Sequence, residues 1–279
     1  MFEINGETKH LGIIGNPIEH TYSPKMHNYI SEIMEKNCVY SAFEVKKQDL
    51  EKAIDAIRAL GFLGTNITAP YKVDVIEHLD VLSEKARLFG SVNTVVNKDG
   101  KLYGYTTDAD GFYMSLKRKG FSVEDKDVLI LGAGGAAKPV IALFAMEGAK
   151  SITVSNRTKE KTIKMSEFLF DATGFKMDCD IKLSHYDLVV NTTPLGMYPD
   201  IDTAPQFDTS LIDEKSFVAD MIYNPEETLF LKEAKKRGAV TLNGLGMLIY
   251  QGIIAYELFT DTKLPEDIFD KILKDVFNK

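Results

Sequence analysis

Lys72 and Asp108 are the residues whose types and settings best suit proton transfer. Each lies in a polar, turn-rich stretch just past an apolar run: Asn66-Ile-Thr68-Ala-Pro70-Tyr-Lys72 and Gly104-Tyr-Thr-Thr107-Asp108. An amine and a carboxylate can together take, hold and return a proton. A glycine-rich turn, Gly132-Ala-Gly134-Gly135-Ala136-Ala137, adds a site of a different kind. It fits G-x-G-x-x-A, with a buried strand (Asp127–Leu131) before it and a helical pattern after it. The first glycine permits the turn, the second lets backbone approach a pyrophosphate, and the small last residue lets helix pack on strand. The helix start offers N–H groups to phosphates. A dinucleotide and a proton-transfer pair together suggest redox chemistry on a small hydroxylated substrate. Two alternatives fit the turn alone: glycines that only pack a helix on a sheet, and a methyltransferase loop.

The end of the next strand separates these. Folds that prefer NAD place Asp or Glu there to bind the ribose hydroxyls. Here the residues are Ser155-Asn156-Arg157-Thr158, with Lys161 after them. Arg157 can pair with a 2′-phosphate, and Thr158 and Lys161 can add donors. Methyltransferases also favour an acid at this point, so the same residues count against them. The bland alternative is a solvated basic turn.

On the substrate side, Gly15-Asn16-Pro17-Ile-Glu-His20-Thr21-Tyr-Ser23-Pro24 reads as a polar loop entering a helix. Thr21 and Ser23 can donate to a carboxylate, and Ser23 can cap the helix. Pro70 reads as opening another helix with Lys72 at its start. A helix N-terminus disfavours an ammonium, whereas a neighbouring Asp108 favours it. Asp108 or Asp110 could instead simply cap the helix that follows. His20, His27 and His78 make no metal-ligand spacing, so no metal is expected.

These residues need elements to position them. Strand-like runs at Leu11–Gly15, Tyr40–Val45 and Thr65–Thr68 alternate with helical patterns at 23–36 and 50–60. Val92–Val96 and Leu102–Tyr105 flank Lys98-Asp-Gly100, a hairpin signal. A second series follows: Asp127–Leu131, Ser151–Ser155, Asp187–Asn191, Phe217–Met221 and Ala239–Leu242, the spacing of a parallel sheet. Helical patterns return at 248–259 and 267–277. The expected class is α/β with two domains, residues 1–105 with 246–279 and residues 106–245.

Composition agrees with this. The 279 residues are 44% hydrophobic and 27% charged, as in ordinary globular domains. A net charge of -8 argues against nucleic acid as a partner. Cys38 and Cys179 form no paired motif and read as reduced thiols. There is no leader-like start and no apolar run near the ~20 residues of a membrane span, so a cytoplasmic protein is expected.

Taken in order, the motifs resemble those of the shikimate dehydrogenase family across nearly the whole chain. They are Gly15-Asn-Pro with Ser23-Pro24, Asn66-Ile-Thr-Ala-Pro-Tyr-Lys72, Gly90-Ser-Val-Asn93-Thr94, Thr107-Asp108-x-x-Gly111 and Gly132–Ala137. Asn156-Arg-Thr158, Asn191-Thr-Thr-Pro-Leu-Gly-Met197, Asp220-Met-Ile-Tyr223-Asn-Pro225 and Asn243-Gly244-Leu-Gly-Met247 with Gln251 complete the series. The resemblance implies a mixed-sheet N-terminal substrate domain, an NADP-binding Rossmann domain and an active site in the cleft between them. It implies reversible, NADP-dependent oxidation of shikimate at C3 to 3-dehydroshikimate, on the route to chorismate and the aromatic amino acids.

Carried over by position, Lys72 and Asp108 are the catalytic pair. Thr21 and Ser23 match the carboxylate-binding serines, and Asn66, Thr68, Asn93, Thr107 and Gln251 match contacts to the ring hydroxyls. Tyr223, Gly244 and Met247 match positions around the nicotinamide, Tyr223 reaching the substrate as well. Thr192 joins Gly132, Gly134, Gly135, Ala136, Ala137, Asn156, Arg157, Thr158 and Lys161 on the cofactor. Two departures stand out: Thr21 replaces the usual first serine, and Thr106 replaces the Asn of N-T-D. An enzyme that also accepts quinate is therefore the runner-up. A non-catalytic sensor on the same fold is disfavoured because it would need neither Lys72 nor Asp108. The expected partners are a small-molecule substrate and at most a second copy of the chain, as a monomer or homodimer.

Overall fold

A computed structural model describes residues 4–279, and the chain divides into two compact units. The first holds residues up to Gly111 together with Ile249–Lys279; the second is Phe112–Leu248. In chain order the first unit supplies β1 (Lys9–Gly15), α1 (Ser23–Ile33), β2 (Cys38–Glu44), α2 (Leu50–Ala59), β3 (Gly64–Ile67) and β4 (Val81–Leu82). It continues with α3 (Glu84–Phe89), β5 (Thr94–Lys98) and β6 (Lys101–Tyr105). Helix α4 (Asp108–Arg118) passes into the second unit, which holds β7 (Asp127–Leu131), α5 (Ala137–Met146), β8 (Ser151–Ser155) and α6 (Lys159–Thr173). There follow β9 (Leu188–Asn191), β10 (Phe217–Asp220), α7 (Leu229–Lys236) and β11 (Val240–Leu242). Helices α8 (Leu245–Thr260) and α9 (Ile268–Asp275) end the chain. The division falls inside α4 and inside α8, a few residues past the expected 105/106 and 245/246 boundaries. Each helix runs unbroken while its turns pack with different units.

The first unit's sheet has the order β2-β1-β3-β5-β6-β4 and is mixed. β1 runs parallel to β2 and β3, whereas β5 is antiparallel to β3 and β6. Asp99 and Gly100 at the hairpin both take positive φ, 52° and 83°, as a tight two-residue turn requires. Ile14, Ile54, Ile67, Val95 and Leu102 form the buried core beneath it. The second unit's sheet is wholly parallel, in the order β11-β10-β9-β7-β8. Its strands read as continuous apolar runs because helices cover both faces. Together these make a two-domain α/β protein with an N-terminal mixed sheet and a C-terminal Rossmann-like sheet.

Two local expectations are corrected, and one helix is added. Pro70 does not open an α-helix: Lys72 lies in a run of turns, and only a short 3-10 helix, Asp74–His78, follows. The reason is competition for backbone groups. The Lys72 carbonyl accepts from Val92 N–H at 2.8 Å, and Tyr71 is drawn into the core with its hydroxyl on the Val45 carbonyl. Lys72 therefore does not stand at the start of an α-helix of its own. Ser23 is not the cap of α1 but its first residue; Tyr22 holds the cap position, and the Thr21 hydroxyl accepts the Ser23 N–H at 3.2 Å. The added helix, α3, is announced by Ser83, whose hydroxyl accepts from Ala86 N–H, and is closed by Gly90 at φ 63°.

His27 on α1 is fully buried and its two ring nitrogens have no hydrogen-bond partner. Burial lowers its pKa from 6.5 to about 3, so the folded ring is neutral where an unfolded one would be protonated. Between those values the unfolded chain binds the extra proton, and stability falls as pH falls, by up to ~1.4 kcal/mol per unit. His27→Phe keeps a ring in place and removes the proton site. Denaturant unfolding at about pH 7 and about pH 5 should show a loss on acidification smaller in the variant by about 2 kcal/mol; equal losses would show that His27 is not the group responsible.

Candidate active site

In the first unit Asn66, Lys72, Asn93, Thr107 and Asp108 share one hydrogen-bond network. Lys72 Nζ donates to Asp108 Oδ2 at 2.7 Å, and Asn93 Nδ2 donates to Asp108 Oδ1 at 2.9 Å. Each carboxylate oxygen thus has its own donor. Side-chain exposure is 33% for Lys72 and 20% for Asp108, so the pair is sheltered yet reachable from solvent. Sequence places these partners far apart. The turn after β3 presents Lys72, the entry to β5 presents Asn93, and the start of α4 presents Asp108. The antiparallel pairing of β3 with β5 and of β5 with β6 brings all three to one end of the sheet.

Asn93 is nearly saturated. Its other Nδ2 hydrogen goes to Thr107 Oγ1 at 2.9 Å, and its Oδ1 accepts Thr107 N–H at 2.8 Å. Thr107 Oγ1 in turn donates to the Gln251 carbonyl at 3.2 Å, tying α8 to the network. Asn66 Nδ2 donates to the Asn93 carbonyl (3.0 Å) and to Thr94 Oγ1 (3.1 Å). Asn66 Oδ1 accepts from the Tyr40 hydroxyl at 2.8 Å. The Ser23 hydroxyl accepts from Thr21 Oγ1 at 3.2 Å. Ser23 is buried and Thr21 half-buried. Thr68 sits directly after β3, its methyl packed on the backbone of Gly15. Thr106 is buried and its hydroxyl has no hydrogen-bond partner. Tyr40 and Thr94 belong to the network although sequence reasoning did not single them out. Tyr40 had only the alternation of β2 to mark it, and Thr94 stood only as the last residue of the Gly90–Thr94 motif.

The second unit gathers its expected residues at the carboxyl ends of the parallel strands. Gly132 follows β7, Asn156 follows β8, Thr192 follows β9, Tyr223 follows β10 and Gly244 follows β11. The strand order reverses between β7 and β9, the switch point where such sheets bind ligands. There Thr192 bonds to the Leu131 carbonyl through both its N–H and its hydroxyl, each at 2.9 Å. Gly132 has φ 112°, and a Cβ on it would come within 2.7 Å of Thr192 Oγ1. Gly134 and Gly135 face open space, with no atom within 4 Å of a notional Cβ. Helix α5 begins at Ala137 with no side-chain cap; its Ala137 and Lys138 N–H groups turn back to the Gly134 carbonyl, at 3.2 and 3.4 Å, and Pro139 has no N–H. The open glycines give this turn the room that a pyrophosphate needs. Arg157, Thr158 and Lys161 are exposed beside it in sequence, and Asn156 Nδ2 fastens their turn to the Thr158 carbonyl at 2.9 Å.

Asp220 is a further residue of this unit that sequence reasoning passed over as part of a motif. It is fully buried and accepts from Asn191 Nδ2 (3.1 Å), Ile222 N–H (3.0 Å) and Thr228 Oγ1 (2.7 Å). Burial raises its pKa, and these three donors act in the opposite direction. Through them it joins the loop after β9 to the loop that carries Tyr223. The Ile222 carbonyl then receives Gly244 N–H at 2.9 Å.

Fold and site together define a two-domain α/β dehydrogenase of the dinucleotide-dependent type. Residues 13–95 match the shikimate dehydrogenase substrate binding domain, residues 115–194 the shikimate / quinate 5-dehydrogenase model and residues 244–274 the shikimate 5'-dehydrogenase C-terminal domain. The chain is 41% identical to the shikimate dehydrogenase (NADP(+)) of Methanocaldococcus jannaschii, over 97% of this chain and 100% of that one. It is similar to a crystal structure of shikimate 5-dehydrogenase from Listeria monocytogenes in complex with shikimate and NAD, with a TM-score of 0.91, 34% identity and coverage of 98% and 99%. It is also similar to quinate dehydrogenase from Corynebacterium glutamicum in complex with NAD, with a TM-score of 0.86, 30% identity and coverage of 95% and 99%. The chain belongs to the shikimate dehydrogenase family.

Proposed function

We propose that the protein oxidises the C3 hydroxyl of shikimate reversibly to 3-dehydroshikimate with NADP, as a step towards chorismate and the aromatic amino acids. The observation that carries this reading is the Lys72–Asp108 pair, set by Asn93 inside a network that also contains Asn66 and Thr107. A polyhydroxylated acid offers a carboxylate for Thr21 and Ser23 and ring hydroxyls for Asn66, Thr68, Asn93, Thr107 and the Gln251 and Tyr223 positions. The Gly132–Ala137 turn fits the pyrophosphate of a dinucleotide. Arg157, Thr158 and Lys161 suit a 2′-phosphate, while Thr192, Gly244 and Met247 fall to the rest of the cofactor. When bound, NADP supplies the hydride acceptor.

The chain's own residues manage the proton. As the substrate carbon gives up its hydride, the hydroxyl must lose its proton, because a protonated carbonyl is a strong acid and a poor product. Lys72, in its neutral form, takes that proton, and its ammonium returns it to the carbonyl in the reverse direction. Asp108 holds Lys72 through Oδ2 and can share the proton. Asn93, donating to Oδ1, keeps the carboxylate turned toward the lysine. Either member can serve as the formal base, because the two share a direct hydrogen bond through which a proton can pass.

Cofactor reduction followed by absorbance, with shikimate and quinate crossed against NADP and NAD, tests the reading. Shikimate with NADP should give the highest kcat/KM. Arg157→Ala should cost about ten- to a hundredfold with NADP, the scale of one bond to a charged group, and little with NAD. Equal or better efficiency with NAD, or with quinate, would overturn the corresponding half of the assignment.

Lys72→Met keeps the length of the side chain and removes the amine. It should lower kcat by ~10²–10⁴, the usual contribution of general acid–base catalysis, while NADP titration gives an unchanged dissociation constant. A near-normal kcat in this variant would make Lys72 a solvated charge rather than a proton carrier.

A further inference from the structure

The orientation of the Asn66 amide is dictated by one group that cannot change roles. The Asn93 backbone carbonyl can only accept, so the group facing it at 3.0 Å must be Asn66 Nδ2. The second Nδ2 hydrogen goes to Thr94 Oγ1 at 3.1 Å. Oδ1 therefore faces Tyr40, and the Tyr40 hydroxyl, at 2.8 Å, must be the donor. Both Asn66 hydrogens are spent, and Oδ1 retains one lone pair. Toward a ligand, Asn66 is an acceptor only, and it suits a hydroxyl that gives its proton.

Tyr40 is itself rigidly held. Asn28 on α1 clamps its backbone from both sides, with Oδ1 accepting Tyr40 N–H at 2.8 Å and Nδ2 donating to the Tyr40 carbonyl at 2.9 Å. Its ring is 2% exposed and lies parallel to the His27 ring, 4.2 Å between centroids and 3° between planes. The unpartnered nitrogens of His27 have nothing to bond, which fits a ring retained here as a flat wall.

We propose that Tyr40, backed by Asn28 and His27, is a positioning residue that fixes Asn66 as an acceptor for a substrate hydroxyl, with Thr94 holding the other end of the amide. The inference rests on the shikimate reading and deepens it. Tyr40 stays behind Asn66 and touches no substrate.

The test uses the full-length enzyme and begins with the wild type on shikimate and NADP. If it shows no turnover, the functional reading fails and the inference falls with it. Given turnover, Tyr40→Phe keeps the stack and removes the hydroxyl. Shikimate KM should rise about tenfold, the loss of roughly one hydrogen bond, with NADP KM unmoved. In an Asn66→Ala background the same substitution should add little, because the two act in series. Thr94→Val tests the opposite end of the amide and keeps the matter decidable if Tyr40→Phe folds poorly; it should raise shikimate KM in the same direction. An unchanged shikimate KM in the folded variants would overturn the inference. So would a rise in both KM values together with a lower urea midpoint, since that is what loss of packing alone produces.

Discussion

Everything on the substrate side depends on how the Asp108 carboxylate is divided. One oxygen is committed to Lys72 and the other to Asn93. Without the Asn93 bond the carboxylate could rotate, and Lys72 would have a partner in no fixed place. Asn93 is held in turn by Thr107 and by its own backbone carbonyl, which receives Asn66. The geometry is therefore set by neutral amides and hydroxyls around a single ion pair. That arrangement suits proton transfer. The pair is shielded enough for the interaction to be strong, yet exposed enough for a substrate hydroxyl to reach it. A surface pair of the same length would be screened and mobile, and worth little.

The second unit solves a different problem with the same means. Its loops must hold a large anionic cofactor without many charges of their own. Open backbone at Gly134 and Gly135, just ahead of α5, lets a phosphate come close to the chain. Asp220 is the internal counterpart of Asp108: a buried carboxylate with three donors that staples two loops at the ends of β9 and β10. Here the charge organises backbone and hydroxyls, with no cation among these contacts.

Strands and motifs were legible in the sequence because they obey local rules. The alternation of apolar runs and helical stripes located most elements to within a few residues, and the glycine turn stood out through its flanking strand and helix. Lys72 and Asp108 could be named from their settings. What local rules could not supply was competition from distant residues. Pro70 carried a helix-start signal, but Val92 N–H claims the Lys72 carbonyl and Tyr71 is pulled into the core. Ser23 carried a cap signal, but Tyr22 holds the cap position and its carbonyl takes the Met26 N–H. Tyr40 and Thr94 looked like ordinary strand residues. Their importance lies in the partners across the sheet, Asn66 above all, and such pairing depends on topology rather than on spacing.

The central claim is that Lys72 and Asp108 act as one unit rather than as two independent contributors. A double-mutant cycle on kcat, with Lys72→Met, Asp108→Asn and both together, measures this directly. If the pair is a unit, the double variant should lose hardly more than the worse single one, a coupling well beyond the ~0.5 kcal/mol within which independent sites add. Losses that multiply, so that the double variant falls by the product of the two singles, would contradict the account and separate the lysine's role from the aspartate's.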